Sequence, residues 1–352
     1  METALILCEG YLGTNTGKTA NGLVRHSRRF AIRGVLDRQA AGRDAGEVVD
    51  GVSRGIPVFR GLEEALAQLP ERPQNLIIGV ATFGGYLPAE FRPVVAAALA
   101  AGMNVVSGLH EFLGEDPEFS ALAAKSGARL IDVRRPRPLK EMRQFSDLAR
   151  HLPCLRIPVV GTDGSIGKRT TALLLADALR AAGVPTSFVA TGQTGLLQGA
   201  EFGVPLDGIR GDFMVGELEA EIVRAQETEQ PKVILIEGQG SISHPAYVCG
   251  TRAILSASAP SGMVVVHAPG RTSRSYRRDQ LALPMPDLGR EIGLLEMYSG
   301  SKAVAVALNH EGLTREQVLA HAAEFTAKFG LPAADPLVDG CDAIAAAVRR
   351  LL

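Results

Sequence analysis

The chain has 352 residues, 46% of them hydrophobic and 21% charged, with a net charge of −1. That length carries two or three domains, each able to bury its own core. The near-neutral balance argues against a polyanion binder, so no nucleic acid is expected as a partner, and no apolar run approaches the ~20 residues that span a bilayer.

The start, METALILCEG, has no basic flank and no cleavage site, so it reads as a first strand and not as a signal peptide. The four cysteines, Cys8, Cys154, Cys249 and Cys341, lie far apart and form no CxxC. They are expected to be free, which fits a reducing cytoplasm. The seven histidines show no ligand spacing, so no metal site is expected.

Residues 3–8 form a strand pattern, followed by a glycine-rich turn into a helix. Within it, Gly13-Thr14-Asn15-Thr16-Gly17-Lys18-Thr19 looks like a phosphate loop with three residues between its glycines. RFAIRGVLDR is a second strand ending at Asp37. A glycine-rich first turn and an acidic residue after the second strand belong to dinucleotide folds, but the strict GxGxxG is absent. A Rossmann-like topology is therefore expected, without a bound NAD. Residues 41–59 read as a loop plus a short strand, 62–69 as a helix, and 75–81 as a buried strand. A helix closed by Gly102 follows, then a strand (104–109) ending at His110 and Glu111, a helix (117–126) and a strand (128–133). This alternation predicts an α/β domain with a parallel sheet. Arg134 to Pro138, RRPRP, reads as a stiff solvated connector, dividing the chain into 1–138 and 139–352. The segment 139–151 looks helical.

The second half is organised around Ile157 to Ala182. An apolar strand feeds a loop with Gly161, Gly164 and Gly167; then come Lys168, Arg169, Thr170, Thr171 and a helical pattern closed by Gly183. Strand, glycine-rich loop, Lys and helix make a phosphate cradle. Backbone N–H groups converge, the helix N-terminus adds about half a positive charge, and the Lys reaches an outer phosphate. The loop departs from Walker A: five residues separate Gly161 from Gly167, and Arg169 stands where the magnesium-holding hydroxyl belongs. Thr170 comes one position late, about 100° further round the helix.

Downstream, a strand (186–190) leads to the small-residue turn Thr191-Gly192-Gln193-Thr194-Gly195, suited to lie against a ligand. Asp207 and Asp212 precede a helix (215–228). The apolar strand 232–236 ends in Glu237-Gly238-Gln239-Gly240, a Walker B-like signal, and His244 follows seven residues after Glu237. Open α/β sheets bind ligands at the carboxyl ends of their strands, so both residues can reach one pocket. The strand 263–269 runs into Arg271, Arg274, Arg277 and Arg278, which form either an anion site or a solvated face. A strand (302–308) ending at Asn309, a helix (314–328) and a final helix (340–351) complete a second parallel sheet of P-loop type, with helices on both faces.

Gly161-Thr162-Asp163 with Gly167-Lys168 resembles the GTD…GK loop of dethiobiotin synthetase-like enzymes, and Glu237-Gly238-Gln239-Gly240 resembles their EGxG strand end. Those enzymes use ATP and magnesium to activate a carboxyl or carbamate; Arg169 departs from their Thr. A closer likeness spans the chain. GTDGSIGKRTTA, TGQTG, GDF, EGQGSISHPAY and HAPGRT, after an α/β domain with GVLD and DAGE, resemble a bacterial family long catalogued as a domain of unknown function. That family is associated with D-glutamate N-acetyltransferase.

The resemblance implies acetyl transfer from acetyl-CoA to a D-amino acid. Gly161, Thr162, Asp163, Gly164, Gly167, Lys168, Arg169, Thr170 and Thr171 would then hold the coenzyme's phosphates, with Asn309 at the adenine. Glu237 and His244 are the candidate general bases, with Asp212 behind them. Backbone N–H groups of the 191–195 or 238–241 turns would face the oxyanion. Arg271 and Arg169 would meet the substrate's carboxylates, beside Gln193 and Thr194. A cytoplasmic homo-oligomer acting on a small molecule is expected. Two other readings stand beside it: an ATP- and magnesium-dependent carboxylate-activating synthetase or kinase, and a nucleotide-binding regulator.

Overall fold

The structure, a computed structural model, describes residues 1–274 and 283–352. It divides into two units: Met1–Pro136 together with Gln193–Gly199, and Arg137–Gly192 together with Ala200–Leu352.

In the first unit the strands are β1 (Glu2–Leu7), β2 (Phe30–Leu36), β3 (Val58–Phe59), β4 (Asn75–Ile78), β5 (Asn104–Ser107) and β6 (Leu130–Asp132). All pair in parallel in the order β3-β2-β1-β4-β5-β6, a doubly wound sheet whose strand order reverses between β1 and β4. Local chemistry explains the helix boundaries. Asp116 caps the helix Pro117–Ser126 by accepting from Glu118 N (2.9 Å) and Phe119 N (3.1 Å), and Gly127 ends it in the left-handed region. Asp44 does the same for the helix Ala45–Asp50, which lies within a stretch read from sequence as loop and strand.

The first glycine-rich turn of this unit is occupied by its own chain. Ala20 N, in the first turn of the helix Lys18–Arg25, donates to Gly79 O at 2.8 Å. The Asp37 carboxylate accepts from Leu12 N (3.1 Å) and Gln39 N (2.9 Å). Residues Gln193–Leu197, expected as part of a turn, form a short helix that belongs to this unit. Thr194 Oγ1 lies 3.1 Å from Thr19 Oγ1, Gln193 Oε1 accepts from Arg134 at 2.8 Å, and Gln198 Nε2 donates to the carbonyls of Gly22 and His26 (2.8 and 3.0 Å).

The second unit holds β7 (Leu155–Gly161), β8 (Thr186–Ala190), β9 (Phe202–Gly203), β10 (Val233–Glu237), β11 (Met263–His267), β12 (Ala303–Leu308) and β13 (Ala333–Ala334). They are parallel in the order β13-β12-β11-β7-β10-β8-β9. β8, β10 and β11 are buried along their whole length, as strands covered on both faces must be. Ile234 and Ile236 pack with the helices Met214–Glu229 and Gly250–Ser258. Side chains alternate along a strand, so Val233, Leu235 and Glu237 turn to the opposite face, where the helix Lys168–Ala181 packs. That alternation brings Glu237 to the phosphate loop.

The segment 139–151 is not the expected helix. It contains two 3-10 turns, Leu139–Glu141 and Ala149–His151, joined by extended chain. Glutamates of the helix Met214–Glu229 take the N–H groups that a helix would use internally: Glu217 accepts from Arg143 N (2.7 Å) and Glu219 from Ser146 N (2.7 Å). The strap crosses at Gly216, where a Cβ would stand 2.4 Å from Arg143 O. No helix among the described residues is long and apolar enough to cross a membrane.

Candidate functional site

At the carboxyl end of β7 the chain enters the loop 161–167 and then the helix Lys168–Ala181, whose N-cap, Gly167, is left-handed (φ 95°) and supplies no side chain. First-turn N–H groups have no partner within their own helix. Lys168 is buried; its Nζ donates to Asp163 O and, at 3.0 Å, to Gly240 O. One ammonium therefore ties the phosphate loop to the turn that follows β10. Gly238 permits this: a Cβ there would lie 2.1 Å from Val159 O and 2.9 Å from the Lys168 side chain.

Glu237 lies at that junction, buried. Its Oε2 accepts from Thr191 N (3.0 Å) and Gly192 N (3.2 Å), and its Oε1 stands 3.7 Å from Arg169 Nη1. Burial pushes its carboxyl above the ordinary glutamate range, against the opposing pull of Arg169, the two N–H groups and Lys168. The Thr191 and Gly192 N–H groups, expected as oxyanion donors, orient this carboxylate.

His244 is also buried. Its Nδ1 accepts from Ala246 N (3.1 Å) and Tyr247 N (3.2 Å), so the neutral ring carries its proton on Nε2, which lies 3.9 Å from Asp163 Oδ1. Burial holds the imidazole below its ordinary range, Arg274 and Lys168 add to that, and Asp163 opposes it. His244 is thus a neutral donor at Nε2. In this tautomer the nitrogen holding the lone pair accepts from two backbone N–H groups, a geometry that gives the expected base role no support. The Lys168 ammonium acts on both Glu237 and His244, which places the pair around one charge.

Arg271 has a different place from the one expected. Its Nε and Nη2 donate to Glu311 Oε2 (2.9 and 2.6 Å), Nη1 to Asp163 Oδ2 (3.0 Å) and Gly164 O (3.0 Å), and Nη2 also to Ser165 O (2.9 Å). A guanidinium has five N–H donors, and all five are engaged. Arg271 clamps the loop and has no donor left for a substrate carboxylate. Asn309 braces the same loop from β12: Nδ2 donates to Ile166 O (3.0 Å) and Oδ1 accepts from Glu311 N (2.9 Å).

The remaining expected residues fall as follows. Gly161, Thr162 and Asp163 are buried, Gly164, Gly167, Arg169 and Thr170 are half-buried, and Thr171 is buried in the helix. Thr162 Oγ1 turns inward to His267 Nδ1 (3.0 Å). Asp212 is exposed on the 3-10 turn Gly211–Phe213, outside this network, so it does not back up Glu237. Gln193 and Thr194 belong to the first unit and are bonded within it. Arg277 and Arg278 lie outside the described residues. Ser241 and Ser243, given no role in the sequence reading, and Glu291, outside its motifs, complete the surroundings of His244: Arg274 donates to the two hydroxyls, and Glu291 receives Ser243 N at 3.2 Å. Among the described residues no group of three or more His, Cys, Asp or Glu is placed to hold a metal ion.

Residues 143–345 match the family model described as the DUF1611 C-terminal P-loop domain of unknown function, and residues 38–136 match the DUF1611 N-terminal Rossmann-like domain. The chain belongs to the DUF1611 family. A crystal structure of a DUF1611 family protein from Anabaena variabilis superposes with a TM-score of 0.90 at 34% identity, covering 99% of this chain and all of that one. The two parallel-sheet α/β domains expected from the sequence are those of this family. Two curated relatives are named D-glutamate N-acetyltransferase. The one from Tritonibacter scottomollicae is 35% identical over 295 residues, 81% of this chain and 84% of its own. The one from a Pseudoalteromonas species is 32% identical over 279 residues, 78% and 80% of the two chains.

Proposed function

We propose that this DUF1611 chain is an N-acetyltransferase that moves the acetyl group of acetyl-CoA to the amino group of D-glutamate or a related D-amino acid, in D-amino acid catabolism. The observation that carries the reading is the Arg169–Glu237 pair at 3.7 Å. In an ATP-hydrolysing loop the residue after the Lys is a hydroxyl that holds magnesium. Here that position carries a fixed cation facing the strand-end carboxylate. Such a loop keeps its grip on phosphate, through Lys168 and the helix N-terminus, while leaving Glu237 for proton work. The pyrophosphate of coenzyme A fits that division, since its phosphates are held and not cleaved. The names of the two relatives support the same chemistry.

In this reading the substrate ammonium loses a proton to water and its nitrogen attacks the thioester carbonyl. The C–N bond forms, the C–S bond breaks, Glu237 takes the second proton from nitrogen and returns it to the departing thiolate. The His244 Nε2–H is a neutral donor for the oxyanion of the tetrahedral intermediate, a type of group whose removal costs about 10²–10³ in rate.

The test is to incubate the protein with D-glutamate and acetyl-CoA, without nucleotide, and to follow free thiol with a thiol-reactive dye. Thiol release that requires the amino acid is expected. Phosphate release from ATP with no thiol release would overturn the reading in favour of a synthetase or kinase.

A further inference from the structure

With Arg271 saturated and Arg169 facing Glu237, a further cation for a dicarboxylic substrate is called for, and Arg274 has the right preparation. Its guanidinium is half-buried and its charge acts on His244. Nη1 donates to Ser241 Oγ (2.7 Å), Nη2 to Ser243 Oγ (2.7 Å) and Nε to Pro284 O (3.2 Å). Among the described residues these acceptors are two hydroxyls and a carbonyl, and none is a carboxylate. These acceptors take three of the five N–H groups, which among the described residues leaves one on each terminal nitrogen.

The hydroxyls are themselves held. Ser243 Oγ donates to Glu291 Oε2 while Ser243 N donates to Glu291 Oε1 (3.2 Å), and Glu291 is fully buried. The Ser243 proton therefore points at Glu291 and its lone pair at Arg274. Ser241 is buried as well, and both serines lie within three residues of His244. The result is a guanidinium locked in orientation and, among the described residues, not neutralised by a direct ion pair, with one N–H left on each terminal nitrogen. Those N–H groups and the undivided charge are what an anionic oxygen takes.

We propose that Arg274 receives a carboxylate of the amino-acid substrate, and that Ser241, Ser243 and Glu291 are positioning residues for it. This rests on the acetyl-transfer reading above. A phosphate of the coenzyme offers the same anionic oxygens, so the experiment separates the two sources. Steady-state constants for D-glutamate and for acetyl-CoA are measured on wild type, Arg274→Met and Arg274→Lys, with thermal unfolding as a check on folding. The KM for D-glutamate rises roughly 10- to 100-fold in both, less in Arg274→Lys, while the KM for acetyl-CoA stays within about twofold. Ser243→Ala raises the D-glutamate KM in the same sense, and Ser243→Thr restores it. A rise confined to acetyl-CoA assigns Arg274 to the coenzyme and overturns the proposal, as do unchanged constants in Arg274→Lys. If wild type transfers acetyl to no amino acid, the reading of the reaction falls first; an active wild type with indifferent Arg274 variants sinks this inference alone.

Discussion

Arg169 Nη1 stands 3.7 Å from Glu237 Oε1, so the strand-end carboxylate of this P-loop fold faces a guanidinium from the first turn of the loop's own helix. The consequence is electrostatic. A cation fixed to the chain makes the ionised carboxylate bearable in a buried place, yet burial still pushes the Glu237 carboxyl above its usual range. The carboxyl proposed as the base is therefore tuned upward from its ordinary value.

Replacing Glu237 by Gln is expected to lower kcat by roughly 10²- to 10⁴-fold, the usual worth of a general base. The acid limb of the wild-type kcat/KM profile lies above the ordinary glutamate range, because the base must lose its proton to act, and the limb disappears in the variant. Stability moves the other way. A carboxyl with a raised folded-state pKa favours folding below its unfolded pKa and loses that contribution as pH rises through the folded value. At pH 8 the variant is thus expected to melt no lower than wild type. A large loss of Tm together with unchanged kcat would contradict both halves.

His244→Asn keeps an acceptor for the Ala246 and Tyr247 N–H groups and offers an amide N–H about one bond short of Nε2–H. Its rate is expected to stay within roughly tenfold of wild type, well short of the 10²- to 10⁴-fold loss of a missing base. His244→Leu strands two buried N–H groups and is expected to cost about 1–3 kcal/mol in chemical denaturation. A rate collapse in the Asn variant accompanied by loss of a limb of the pH–rate profile would restore His244 as the base.

Two cations govern the loop, and both act on the coenzyme in the proposed reaction. Lys168→Met releases the Asp163 and Gly240 carbonyls and removes the phosphate's charge partner. Arg271→Lys exchanges five oriented donors for three on a flexible stem. Each is expected to raise the KM for acetyl-CoA by roughly tenfold or more, with the D-glutamate KM much less affected. Initial-rate kinetics with either substrate varied decides this. A D-glutamate effect of equal size in Arg271→Lys would return that residue to the substrate.

His267 offers a stability test independent of the reaction. Burial, with the His321 charge in support, holds its pKa at about 4, below the 6.5 of an exposed imidazole. Between those values the unfolded chain binds the extra proton, so stability is full above 6.5 and falls as pH drops toward 4. The span corresponds to about 3 kcal/mol as an order of magnitude. Urea unfolding at pH 7 and pH 5 is expected to show the loss in wild type, and His267→Gln is expected to flatten it.

Much of the fold was legible because strands buried on both faces are continuous apolar runs: 232–236 and 263–267 need no partner to be recognised. The strap at 139–151 was misread for the opposite reason. Its N–H groups are taken by Glu217 and Glu219, more than seventy residues away, and no local pattern records that. Within the candidate site, the gathering of Lys168, Arg169 and Glu237 at one loop is readable from strand, loop and helix order. The roles of Arg271 and Arg274, three residues apart, were not: which one is saturated depends on Glu311, Asp163 and two loop carbonyls reaching the first. His244 was found, but its tautomer is set by two amides in the turn after it.

The seven residues Gln193–Gly199, which the chain lends back to its first unit, bear on how the molecule can be cut. A fragment ending at Pro136 would expose Thr19, the carbonyls of Gly22 and His26, and the Arg134 guanidinium, all of which these residues satisfy. The sequence of the chain is thus not the sequence of two consecutive modules. Expression of the first half alone, from a gene split at the linker, would leave that unit without seven of its residues, while the second half would carry them with nothing to pack into.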